Sequence, residues 1–222
     1  IRDSMDFMDR EMSGTMDLRI RIEADVKDPR ILNGLDSIQS FIQENENISV
    51  TYSIADVVKQ MHRAVMDDSL KYESIPPTRE KVNNLFTMYY MSGDHDGLSS
   101  MIDPDHKTTL ITSLSSIMST EDIFSLVGSM TTYISEHYFG TEKINITGMI
   151  VVIRDMVLMV IRSALLSILV SVLLIGLITS LFFGRVIWGA LSIIPLFSAV
   201  ILNFGLMGHF DIALNHITAI LS

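Results

Sequence analysis

The chain contains no cysteine, and its C-terminal part is almost free of charge. The absence of cysteine excludes disulfides and thiolate metal sites but fits any cellular compartment. Of 16 Lys and Arg and 26 Asp and Glu residues, only Arg185 and Asp211 lie beyond Arg162. The formal net charge of −10 therefore belongs to the first 162 residues. Because this region lacks clustered Lys and Arg, we expect no nucleic-acid partner and no docking on anionic lipid headgroups.

The sequence also lacks the motifs of common catalytic sites. It has no His-Glu-x-x-His, no nucleophile elbow, no glycine loop of the phosphate-binding kind, and no serine in a recognisable triad context. We therefore expect no enzymatic activity and no cofactor.

One acidic stretch raises the question of a metal site. Asp and His residues concentrate between Ser92 and Lys107, and calcium loops also use spaced Asp residues. The twelve-residue EF-hand pattern with its closing Glu is absent. An acidic turn between a helix and a strand explains the stretch better, so we predict no metal site here. The residues considered are Asp94, His95, Asp96, Asp103, Asp105 and His106.

Long uncharged runs predict membrane-spanning helices. The 22 residues between Arg162 and Arg185 are uncharged, and residues 186–208 form another uncharged run. A bilayer core of about 30 Å needs about twenty residues of helix, whereas buried helices of soluble proteins rarely run this long without a charge. We predict spans at 163–184 and 186–208, and a linker helix at the membrane interface over 151–162. Residues 212–222 predict the start of a third span within a longer protein.

The predicted spans carry small residues and one proline but no ionisable group. Without Asp, Glu or Lys they hold no proton relay of their own. Small residues suit close packing against neighbouring helices, although lipid-exposed glycine is an equal alternative; they are Gly176, Gly189, Ala190, Gly205 and Gly208. Pro195 is expected to kink the second span. The residues singled out as structural or transport motif candidates are Pro195, Gly205, Gly208, Asn215, His216 and Thr218. For Asn215 and His216, an interfacial polar cap is the simpler explanation.

Residues 1–150 predict one α/β domain. Leu18, Ile20 and Ile22 alternate with polar residues in a half-buried strand, and Asp28-Pro29 predicts the start of a helix. A strand over 48–53 completes a βαβ unit, and residues 107–148 repeat the strand-helix-strand pattern. Two βαβ units favour an α+β ferredoxin-like sandwich, here with a helical insertion near 54–91.

The succession of these segments resembles the resistance-nodulation-division (RND) superfamily of exporters, in its MMPL-like branch. The stretches that carry the resemblance, in chain order, are MSGTMDLRIRIEA, KDPRILNGLDSIQSFIQ, VTYSIADVVKQMHRAV, IPPTREKVNNLFTMYYMSGD, ITGMIVVIRDM, LSIIPLFSAVILNFGLMG and LNHITAIL. The resemblance implies the second periplasmic porter domain of such an exporter, followed by its eighth and ninth spans and the start of its tenth.

The resemblance also implies a function. Members of this superfamily export lipidic or amphiphilic substrates, driven by proton or ion flow through carboxylates in spans outside the stretch seen here. It implies a multi-pass protein of a bacterial or archaeal inner membrane, partnered by the bilayer, by the transporter's remaining spans, and by further copies if it is a homo-oligomer. Arg185, between the two spans, favours residues 1–150 on the periplasmic side, whereas Arg154 and Arg162 favour the opposite.

The principal alternative is a membrane-anchored module without transport of its own. Such a module would serve as an extracytoplasmic sensor or ligand-binding domain, or as an accessory subunit of protein export. Resemblance of fold alone does not separate these functions.

Overall fold

A computed structural model describes residues 14–92, 97–137 and 143–209. The chain divides into two compact units, Ile1–Val152 and Ile153–Ser222. In chain order the described elements are β1 (Met16–Glu23), α1 (Pro29–Gln43), β2 (Ile48–Tyr52), α2 (Ile54–Val65), a 3-10 turn (Leu70–Tyr72), α3 (Arg79–Met91), β3 (Thr108–Ser115), α4 (Thr120–His137), β4 (Lys143–Thr147), α5 (Met149–Phe183) and α6 (Val186–His209).

The first unit is built on a four-stranded sheet. Its strand order is β2-β3-β1-β4, and every neighbouring pair is antiparallel. Ile20, at the centre of β1, lies opposite Ile111 on one side and Ile146 on the other. The predicted alternation along β1 is confirmed, because Leu18, Ile20 and Ile22 are buried while Arg19 and Arg21 between them are exposed. The expectation of a mixed α and β domain is thereby confirmed.

Helices α1 and α4 supply the other half of the core. Their apolar stripes are buried, and the rings of Phe41 on α1 and Tyr133 on α4 stack with centroids 4.1 Å apart. Asp28 caps α1 as the sequence predicts, since its side chain accepts a hydrogen bond from the Arg30 amide at 2.9 Å. The buried apolar residues of the two helices are Leu32, Leu35, Ile38, Ile42, Ile123, Leu126, Val127 and Met130.

Two helices lie between β2 and β3. Ser53 caps α2 through a capping box with Asp56, and its hydroxyl also donates to the Gln39 side chain of α1. The Gln39 amide donates in turn to Asp56 at 2.7 Å. This buried polar group ties α2 to α1, because every donor and acceptor named has a partner within hydrogen-bond distance.

Candidate functional site

Helix α5 is the clearest functional element of the described chain. It is 35 residues long, and among the described residues it is the one helix long and apolar enough to cross a membrane. At 1.5 Å per residue it measures about 52 Å, more than the roughly 30 Å of a bilayer core. The sequence divides this stretch into a linker over 151–162 and a span over 163–184, whereas the structure has one uninterrupted helix.

Helix α6 follows after a turn at Gly184 and Arg185. It runs for 24 residues, from Val186 to His209, with Pro195 inside it. Gly189 of α6 lies directly against Gly176 and Ser180 of α5, so that a Cβ at Gly189 would overlap both. Ser180 itself donates its hydroxyl to the Gly176 carbonyl at 2.8 Å. The two glycines therefore permit the close crossing of α5 and α6.

The motif candidates are not brought together in the described structure. Pro195 is exposed on α6, and a Cβ at Gly205 would meet nothing within 4 Å. Gly208 also lies in α6. Asn215, His216 and Thr218 lie outside the described residues. Ala190 and Gly205, expected to pack closely, are exposed.

A single residue joins the sheet to α5. Strand β4 ends at Thr147 and α5 begins at Met149, so Gly148 is the whole connection. Gly148 adopts a φ of +107°, and a Cβ there would lie 2.6 Å from the Asp17 carbonyl oxygen of β1. The Met149 amide donates to Asp17 Oδ1 at 3.2 Å, and Ile150 is fully buried. The first turn of α5 is thus fixed to β1 by a close backbone approach, a carboxylate and an apolar anchor.

The loop before β3 is organised by Asp103. Its Oδ1 accepts hydrogen bonds from the backbone amides of Lys107 and Thr108, each at 2.7 Å. Its own amide donates to the Thr108 carbonyl at 3.1 Å, and its carbonyl accepts from the His106 amide at 3.0 Å. His106 completes this turn in the left-handed region at a φ of +57°. These bonds fix the direction in which the Asp103 carboxylate and the His106 ring project.

His106 connects three parts of the first unit. Its Nε2 lies 3.0 Å from the Tyr90 hydroxyl of α3, and its ring meets the Phe86 ring edge-on at 5.3 Å. Its carbonyl accepts a hydrogen bond from the Val26 amide, after β1. Burial lowers the pKa of His106, with a smaller contribution from the positive charge of Lys27. Burial also raises the pKa of Tyr90. The imidazole is therefore neutral at pH 7, and it shares a hydrogen bond with the Tyr90 hydroxyl.

A cavity of about 480 Å³ lies beside this pair. Its size falls within the range of small-molecule sites, about 300–1,000 Å³. The described residues that line it are Tyr90, Leu98, Ser99, Ile102, Asp103, Pro104 and His106. Apolar side chains and a few oriented polar groups thus surround a space large enough for a small organic molecule.

No metal site emerges from the described part of the acidic stretch. Asp94, His95 and Asp96 lie outside the described residues. Among the described residues, no three His, Asp or Glu side chains are grouped so that they could hold a metal ion. The Asp103 carboxylate accepts hydrogen bonds from the backbone amides of Lys107 and Thr108.

The chain matches no family model and no curated protein. Its class is therefore defined by its own structure: an α/β unit with an antiparallel sheet, continued by one helix that is able to cross a membrane.

Sequence reasoning considered His106 only as a metal ligand and did not identify Tyr90. These residues are 16 positions apart, and their contact depends on how α3 packs against the loop before β3. The adjacent pair Tyr89-Tyr90 near the end of an amphipathic helix was the only signal in the sequence that pointed toward an aromatic cluster.

Proposed function

We propose that the chain is part of an RND-type exporter of the MMPL-like branch, which moves a lipidic or amphiphilic substrate outward across a membrane. In this proposal the first unit is a ferredoxin-like porter domain. The strand order β2-β3-β1-β4 supports this fold, because two βαβ units place β1 and β3 at the centre of one antiparallel sheet.

The observation that carries the proposal is the joint at Gly148. A porter domain must change shape together with the membrane helices, which requires a connection that does not yield. One residue links β4 to α5, and the Asp17 carboxylate and buried Ile150 fix the first turn of that helix. A flexible tether would suit an anchored domain, whereas this short joint suits the transmission of movement.

The membrane arrangement belongs to the same proposal. Helix α5 is the first span and α6 is the second, and the first unit lies on the periplasmic side of a multi-pass inner-membrane protein. Neither apolar run contains Asp, Glu or Lys. The carboxylates that couple export to protons or other ions are therefore assigned to other spans of the transporter.

A ligand-binding module without transport is the second candidate. The cavity beside Tyr90 and His106 favours it, because a sensor needs a pocket and not a path across the membrane. A module of this kind would bind its ligand with equal affinity in the presence and absence of an ion gradient.

A transport assay on the full-length gene product separates the two candidates. The protein is reconstituted into liposomes that contain a fluorescent phospholipid analogue, and a proton gradient is imposed across the membrane. We expect the analogue to move between leaflets only with protein and gradient together, and an ionophore to stop the movement. Protein-free liposomes are the control. Folded protein that moves no analogue under any gradient would contradict export and support the ligand-binding module.

A further inference from the structure

The cavity beside α3 joins an apolar wall to one carboxylate. Leu98 and Ile102 are almost fully buried, at 2% and 7% exposure, and Pro104 extends the same wall. Asp103 also lines the cavity, and its side chain is held by a hydrogen bond from the Thr108 amide to Oδ1. An apolar surface next to a charged group favours ligands that have an apolar body and an opposite charge.

The hydrogen bonds of Asp103 leave one of its oxygens available. Both backbone amides that bind the side chain donate to Oδ1, which orients the carboxylate without occupying Oδ2. Oδ2 accepts no hydrogen bond from the residues that the structure describes. Arg21 borders Asp103 in a neighbouring cavity of about 220 Å³, but its guanidinium pairs with Glu23 at 2.8 Å. The Asp103 carboxylate is thus held in place and forms no ion pair with the residues that the structure describes.

His106, which lines the described part of the cavity together with Asp103, supplies no positive charge. Burial lowers the pKa of His106, and the neutral ring shares a 3.0 Å hydrogen bond between its Nε2 and the Tyr90 hydroxyl. The described lining of the cavity therefore presents the Asp103 carboxylate and the aromatic ring of Tyr90, a type of ring whose face also attracts cations. An anionic ligand would be repelled by Asp103, and a neutral one would leave that carboxylate unpaired.

We propose that this cavity binds a small organic ammonium ion whose apolar body packs on Leu98, Ile102 and Pro104 while its charged nitrogen pairs with Asp103 Oδ2. Charge-assisted hydrogen bonds of this kind are about twice as strong as neutral ones. The site stands on the geometry of the first unit alone and does not depend on the export function.

The adjacent residues Asp103 and Asp105 provide a matched test. Asp105 is exposed and does not line the cavity, although it lies two positions away on the same loop. Asp103→Asn and Asp105→Asn each remove one negative charge. Because asparagine keeps an Oδ1 acceptor for the two loop amides, Asp103→Asn retains the loop's hydrogen bonds. Comparison of the two variants separates pairing with one carboxylate from general attraction to an acidic domain.

The probe is 4-phenylbutylamine, measured by saturation-transfer NMR on the whole chain in zwitterionic nanodiscs. Empty nanodiscs correct for partition into lipid, and 4-phenylbutanol and 4-phenylbutyrate serve as neutral and anionic analogues. We expect a dissociation constant on the order of millimolar for the amine, because so small a ligand makes few contacts. Asp103→Asn should weaken binding about tenfold, and Asp105→Asn should leave it nearly unchanged.

Three results would overturn the proposal: equal loss in both variants, equal binding of the alcohol and the amine, or no binding of the amine. Thermal unfolding of each variant verifies that the loop remains folded. If Asp103→Asn unfolds the loop, Ile102→Ala is the second variant, because it removes apolar wall without altering charge. That variant should weaken the binding of the amine and of the alcohol to the same extent. An unchanged affinity for the amine would contradict the role of Ile102 in the apolar wall.

Discussion

At the scale of single residues, Gly148 decides how the sheet meets α5. Its φ of +107° lies in a region that other L-residues rarely adopt, and a Cβ there would meet the backbone of β1. We expect Gly148→Ala to lower the free energy of unfolding by about 1–3 kcal/mol, because both the backbone conformation and the close approach oppose a Cβ. Chemical denaturation of the chain in detergent, followed by circular dichroism, measures the effect.

Gly128 provides the control for this substitution. It lies within α4, its φ is not in the left-handed region, and a Cβ there would meet nothing within 4 Å. Gly128→Ala should therefore raise stability by about 0.5–1 kcal/mol, since alanine is the better helix former. Equal effects of the two substitutions would contradict the structural role assigned to Gly148.

His106 makes the stability of the first unit depend on pH. Burial lowers its pKa below the unfolded value of about 6.5, and Lys27 adds to the shift while Asp103 and Asp25 oppose it. Between these two pKa values the unfolded chain binds more protons than the folded one. The contribution of neutral His106 is thus fully present above pH 6.5 and is lost as the pH falls through the folded pKa.

The substitution His106→Asn tests this pH dependence. Asparagine tolerates the left-handed backbone conformation of this position, and its side chain does not titrate between pH 5 and pH 7. We expect the stability of the natural chain to fall more steeply from pH 7 to pH 5 than that of the variant, as measured by urea unfolding at each pH. Parallel profiles would assign the acid sensitivity to other groups.

At the scale of elements, the crossing of α5 and α6 depends on the absence of side chains at the contact. Gly176 and Gly189 are both buried there, and the Ile193 Cδ1 atom would lie 2.9 Å from a Cβ at Gly176. Small residues permit such an approach in membranes, where van der Waals packing is a principal attraction between helices. The contact therefore has no space for a larger residue.

Gly189→Leu should separate the two helices. Inserting a large side chain into a tightly packed contact costs about 1–3 kcal/mol. Ala190→Leu is the matched control, because Ala190 is exposed on the next position of the same helix. We expect the first variant to lower the thermal unfolding midpoint in detergent and the second to leave it nearly unchanged. A similar loss in both variants would place the contact on another face of α6.

The helices and strands could be predicted from the sequence where the pattern of neighbouring residues determines them. The alternation of Leu18 and Ile20 with arginine, and the Asp28-Pro29 start of α1, depend only on neighbouring residues. The Tyr90–His106 contact and the cavity beside it could not be predicted, because they join positions distant in the chain through the packing of α3. The same holds for the approach of Gly148 to β1, since a lone glycine does not reveal which backbone it meets.

At the scale of the whole chain, charge and apolarity are segregated along the sequence. The net charge of −10 belongs to residues 1–162, which end at Arg162, the last arginine of α5. The following 22 residues are uncharged. A charged α/β unit and an apolar helix of this length need different surroundings, water for one and lipid for the other. Segregation by itself does not determine which side of the membrane the first unit occupies.

The orientation can be measured because the natural chain has no cysteine. Ser49 is exposed on β2, and the Val186 side chain is 80% exposed after the turn that contains Arg185. The positive-inside rule favours that turn on the cytoplasmic side. With a membrane-impermeant maleimide, we expect Ser49→Cys to react in intact cells and Val186→Cys only after permeabilisation. The cysteine-free chain is the unlabelled control, and the reverse pattern would place the first unit in the cytoplasm and contradict its role as a periplasmic porter domain.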